Sequence, residues 1–193
     1  MTAKAIFPIL LGVASSAFAV DRDSWISPDK HFLARSVSRN PDETGCRLLL
    51  SAAGKPELGI LLRENDRWIN ATWSPDSKFL AITDGSDGHI TDIFIYRVVR
   101  SDKNESSAVV ITFPTFGGIA ASATSPGLRA ELWYHTPRIG TYDTRWEFTG
   151  WSQDNKSARL TRHSLREHDK AFTVELKPPT IPKNQEGESG PGE

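Results

Sequence analysis

The chain has 193 residues, of which 38% are hydrophobic, with 23 basic and 24 acidic side chains and a formal net charge of −1. Charge this close to balance argues against a nucleic-acid binder, which carries a basic stripe. The single cysteine, Cys46, excludes an internal disulfide, so a hydrophobic core has to hold the fold.

The first nineteen residues read as an export signal. Lys4 is the only charge before Asp21, residues 5–13 form a short apolar run, and Ala17-Phe18-Ala19 has the small-x-small form of a signal-peptidase site. Cleavage is expected after Ala19. It leaves 174 residues, enough for one domain with a real core. No later stretch is long and apolar enough to predict a membrane span. Cys46 stands beside Leu48, Leu49 and Leu50 and reads as a buried bystander, with a nucleophile or an intermolecular link as the rival.

The informative feature is self-similarity. Ser27-Pro28-Asp29-Lys30-His31-Phe32-Leu33-Ala34 and Ser74-Pro75-Asp76-Ser77-Lys78-Phe79-Leu80-Ala81 agree at six of eight positions, 47 residues apart. A third copy is clearer upstream. Arg67-Trp68, four residues, then Trp73-Ser74-x-Asp76-x-Lys78 recurs as Arg145-Trp146, four residues, then Trp151-Ser152-x-Asp154-x-Lys156, 78 residues on. Each copy predicts a strand, a tight turn on Ser-x-Asp, and a second strand. In the middle copy Trp68, Asn70 and Thr72 alternate with Ile69, Ala71 and Trp73. Residues 79–83 continue as a strand, residues 84–88 form a glycine-bearing loop, and residues 90–99 and 109–113 supply a third and a fourth strand. Four short antiparallel strands in this span make one propeller blade.

Trp73-Ser74-Pro75-Asp76-Ser77-Lys78-Phe79-Leu80-Ala81 resembles the blade signature of TolB-type, WD40-like β-propellers. Those repeats carry Trp-Ser-Pro-Asp-Gly-Lys before a short apolar strand. The resemblance is strongest over residues 66–98, weaker over 24–38 and partial over 144–176. It departs at Gln153, where proline is expected. It implies a mainly β fold of antiparallel, blade-like sheets. Two clear units and one partial one are too few for a closed ring of about four to eight blades, so the expectation is an incomplete or open β-propeller-like array. The organisation expected is a signal at 1–19, a blade domain at 20–176 with units near 24–65, 66–113 and 143–176, and a disordered tail at 177–193.

The two offsets differ by 31 residues, which places an insert at 114–142. Ser125-Pro126 predicts the start of a short helix there; a degenerate blade is the rival reading. Within the insert Trp133, Tyr134, His135, Arg138 and Tyr142 group aromatic rings with arginine and form the candidate partner-binding set. The alternative is that these rings only cover the end of a sheet.

Catalytic and metal-binding patterns are missing from the sequence. His163 and His168 do not have ligand spacing, no His-Glu-x-x-His or Gly-x-Ser-x-Gly occurs, and Asp84, Asp87 and Asp92 depart from a calcium loop. No catalytic, metal or cofactor residue is therefore assigned. The expected function is a non-catalytic extracytoplasmic protein-binding or scaffold module in the periplasm or outside the cell. Its expected partner is another envelope protein, or further copies of the chain closing the array. The alternative is a small secreted or periplasmic hydrolase with an unrecognised site.

Overall fold

A computed structural model describes residues 20–38, 45–65, 67–87, 90–102, 107–113, 117–137, 144–164 and 167–178. The expected signal at 1–19 with its Ala19 cleavage point, all but the first two residues of the expected tail, and both Arg138 and Tyr142 lie outside these residues.

The described residues are mainly strand. Strands β1 (Val20–Ile26), β2 (Phe32–Ser38), β3 (Cys46–Ala52) and β4 (Ile60–Asn65) form an antiparallel meander, each paired to the next. A second antiparallel sheet begins with β5 (Ile69–Trp73), β6 (Phe79–Asp87) and β7 (Ile90–Val99). The chain then forms β8 (Ser107–Phe113), β9 (Gly117–Ser125) and β10 (Leu128–His135). The last three strands, β11 (Thr144–Trp151), β12 (Ser157–Ser164) and β13 (Lys170–Glu175), are antiparallel neighbours. They join β7 through one parallel pairing, Arg145 opposite Thr91. Thr91 Oγ1 clamps that junction: it accepts from Trp146 N at 2.8 Å and donates to Trp146 O at 2.5 Å.

Alternation of apolar residues along these strands builds two cores. Phe32, Ala34, Leu48, Leu50, Ile69, Ala71, Trp73, Leu80, Ile82, Phe94 and Tyr96 fill the space between the first and second sheets, and Cys46 is buried with them. The opposite faces of β6 and β7, bearing Phe79, Ala81, Ile93 and Ile95, pack on Trp146, Ala158 and Leu160 of β11 and β12, which with β13 form a third antiparallel sheet joined to the second through β7. β6 and β7 are thus covered on both faces along Phe79–Ile82 and Ile93–Tyr96, where their sequences run apolar without a break.

The three Ser-x-Asp copies fold identically. In each, the serine Oγ donates to the aspartate Oδ1: Ser27 to Asp29 at 2.6 Å, Ser74 to Asp76 at 2.7 Å and Ser152 to Asp154 at 2.6 Å. The same Oγ accepts from the amide five residues on, that of Phe32, Phe79 or Ser157. The aspartate accepts from the amides of His31, Lys78 and Lys156. The fourth residue has positive φ every time: Lys30 at 61°, Ser77 at 62° and Asn155 at 57°. This is where the TolB-type signature has glycine, the residue that adopts such angles without steric cost.

Three expectations are corrected. The short helix in the 114–142 insert is absent: residues 117–125 and 128–135 are strands, and the one helical element among the described residues is the 3-10 turn Pro56–Leu58. Ser125-Pro126-Gly127-Leu128 closes a hairpin instead, with Ser125 paired to Leu128 and Gly127 at φ 84°. Proline second and a positive-φ glycine third is turn chemistry, and Leu128, Ala130 and Leu132 then alternate with strand period. The fourth strand beside β7 is β10 and not residues 109–113; β8 pairs only β9, so the order runs β5-β6-β7-β10-β9-β8. Residues 84–87 are not a loop but the end of β6, held by pairing of Asp84 with Asp92 and of Asp87 with Ile90. Among the described residues the sheets form no closed barrel or ring.

Candidate functional site

Three of the predicted partner-binding residues are described, and all lie on β10. A register shift between Leu132 and Tyr134 makes Trp133 a bulged residue. Its ring meets Phe79 edge-on at 5.2 Å, and the Arg97 guanidinium lies 5.1 Å from its centre. Tyr134 is half-buried beside the same core, and loss of water pushes its phenol up from the ordinary value. His135 stacks on Phe94 at 4.4 Å, against the other core. The structure therefore brings Trp133 and Tyr134 together and turns His135 to the opposite side of the sheet.

Two other surfaces have the features of binding sites. The first is a groove of about 410 Å3 between the second and third sheets. Trp68, just ahead of β5, forms one wall with Asn70 and Thr83; Arg145, Glu147 and His163 face them from β11 and β12. Trp68 is 45% exposed. Its indole lies so close against Gly85 that a Cβ built there would overlap the ring, and Gly85 N donates to Trp68 O at 3.1 Å. Only glycine leaves this room. His163 is held between two carboxylates, Nε2 to Glu147 at 2.9 Å and Nδ1 to Asp169 at 2.8 Å. The hydrogen bond to Glu147 and then that to Asp169 raise its pKa above the ordinary imidazole value. Both ring nitrogens are engaged, so His163 clips β12 to Glu147 of β11 and to Asp169 just ahead of β13; no metal-ligating cluster occurs among the described residues.

The second is the outer face of the first sheet. Ile26 is paired with Leu33, and Arg35 with Leu49, which is paired with Leu61. Alternation turns these side chains away from the core that takes Phe32, Ala34, Leu48 and Leu50. Ile26 is 55%, Leu61 42% and Leu58 39% exposed. The far face of the third sheet is different: Ser157, Arg159 and Thr161 alternate with the buried Ala158 and Leu160.

The sequence reading missed both surfaces. Trp68 was visible as the exposed phase of an alternating strand, but nothing local revealed that Gly85 would underlie it. No helix among the described residues is long and apolar enough to cross a membrane. No protein-family model matches the chain, and no curated protein is detectably similar to it.

Proposed function

We propose that the chain is an exported, non-catalytic binding or scaffold module, built as an open array of propeller-like blades, whose outer first-sheet face takes a protein partner of the cell envelope. The observation that carries this reading is the place of Ile26. Trp73 and Trp151 immediately precede the turn serines of the second and third sheets. Each packs on the phenylalanine of the sheet before it: Trp73 on Phe32 at 6.0 Å and Trp151 on Phe79 at 6.2 Å. Ile26 immediately precedes the first turn serine, so it holds the equivalent position, yet it faces solvent beside its pair partner Leu33, on the sheet face that also carries Arg35, Leu49 and Leu61 farther along. An apolar sheet face of this kind left uncovered supports a role in association.

Closure of the array by other copies of the chain is the second reading. A head-to-tail ring would set Ile26 against Ser157, the polar residue at the place of Phe32 and Phe79, so copies would meet face to face on their first sheets instead. The hydrolase alternative has less support, because neither a nucleophile elbow nor a metal-ligand motif occurs in the sequence.

Light scattering after size exclusion, with capture from the envelope fraction, tests the proposal. An envelope partner captured by the native chain and lost in both Ile26→Lys and Leu61→Lys is the expected result; a dimer lost in both variants supports the second reading instead. A monomer that captures nothing, or captures equally well with both variants, overturns it.

A further inference from the structure

We propose that the groove between the second and third sheets is a saccharide-binding subsite, with Trp68 as the ring on which an uncharged sugar stacks. A pyranose presents an apolar C–H face and a rim of hydroxyls. It is recognised by an exposed aromatic surface bordered by groups that both donate and accept hydrogen bonds.

The groove offers this combination. Trp68 keeps nearly half its surface in solvent, while its ring is packed against Gly85. A platform already ordered loses little freedom when a ligand arrives. Asn70 is exposed and brings both an amide donor and a carbonyl acceptor; Thr83 brings a hydroxyl. Arg145 and Glu147 add one charge of each sign, and the Glu147 carboxylate is already bound to His163. The lining thus mixes both signs, and its uncharged donors and acceptors, Asn70 and Thr83, are what recognise a hydroxyl-bearing ligand. The volume, about 410 Å3, lies toward the small end of the roughly 300–1,000 Å3 of ligand clefts and suits a short oligosaccharide. Of the other apolar groups in the lining, Trp146 is 5% exposed and Phe148 is half-buried, and both pack on the second core.

The subsite is independent of the protein-docking face, which lies on the first sheet. The test is titration of the full chain with glucose-based, N-acetylglucosamine-based and uronate-based oligosaccharides, followed by tryptophan fluorescence and calorimetry. Saturable binding of a neutral series is expected, weakened about tenfold or more in Trp68→Ala and largely kept in Trp68→Tyr. Asn70→Ala weakens it several-fold, and Leu61→Lys leaves it unchanged. Trp68→Tyr retains a platform over Gly85, so loss of binding through misfolding of Trp68→Ala is told apart by the two denaturation midpoints. No saturable binding of any neutral series overturns the proposal, as does binding only of the uronates, or neutral binding that Trp68→Ala does not weaken.

Discussion

Arg63 of β4 and Asp84 of β6 form an ion pair sealed between the first and second sheets, with side chains 2% and 0% exposed. Around it, the Arg63 guanidinium lies 5.1 Å from the Phe94 ring centre, and the Tyr96 hydroxyl donates to Leu62 O at 3.4 Å. Burial pushes the Tyr96 phenol far above its ordinary pKa. Removing one partner strands the other charge away from water. Asp84→Ala is therefore expected to cost about 3–5 kcal/mol, while the double change Arg63→Met with Asp84→Leu recovers much of that loss. Urea denaturation of the single and double variants checks it; a double variant as unstable as Asp84→Ala would show that the pair contributes more than it costs to bury.

The turn copies give a prediction of opposite sign. Lys30 holds φ 61° and Asn155 holds φ 57°. A left-handed backbone costs an ordinary side chain about 1–2 kcal/mol, and asparagine less. Part of the gain on changing to glycine is returned as unfolded-chain entropy. Lys30→Gly is expected to raise stability by about 0.5–1 kcal/mol and Asn155→Gly by less. Thermal melts of the two variants measure the difference, and destabilisation by Lys30→Gly would contradict the turn geometry. Ser77 is a poorer choice, because its Oγ accepts from Asp29 N at 2.9 Å and ties the first turn to the second.

The repeat was legible because its chemistry is local. Ser, Asp and the amides that they bind all lie within six residues, so the motif alone specifies the turn. The helix expected at Ser125-Pro126 failed for the complementary reason. A serine followed by proline starts either a helix or a turn, and Gly127 decides for the turn. The exchange of β8 for β10 beside β7 was not legible, since both segments have strand character and only tertiary pairing separates them. Likewise Arg63 looks like a surface charge until Asp84, 21 residues away, is seen to face it. His163 carried no motif, because its partners Glu147 and Asp169 come from different strands or loops.

Trp73 and Trp151 occupy equivalent places but are not held equally. Trp73 is 8% exposed, stacks on Phe32 and donates its indole N–H to Trp25 O at 2.9 Å. Trp151 is half-buried, and its indole N–H has no partner among the described residues. Trp73→Ala is expected to cost about 3–5 kcal/mol and Trp151→Ala clearly less, about 2–3 kcal/mol. Denaturation midpoints order the two, and an equal loss would mean that the second core is as tightly packed around Trp151 as the first is around Trp73.

The His163 clip makes stability depend on pH, and the sign follows from the direction of its shift. Its pKa in the folded chain is raised above 6.5 by Glu147 and Asp169. The folded state therefore binds the proton more tightly than the unfolded state does. The stabilisation is fully present below pH 6.5 and is lost as pH rises through the folded value. Since the ring is exposed to solvent, the effect is small and screened by salt. The melting temperature is expected to fall modestly between pH 6 and a pH above the folded value of His163. Glu147→Gln removes the first of the two charged acceptors, lowers the imidazole pKa toward its ordinary range and flattens that fall. An NMR titration of His163 in both proteins provides the direct reading: a native pKa at or below 6.5 would show that the two carboxylates do not hold the ring in solution.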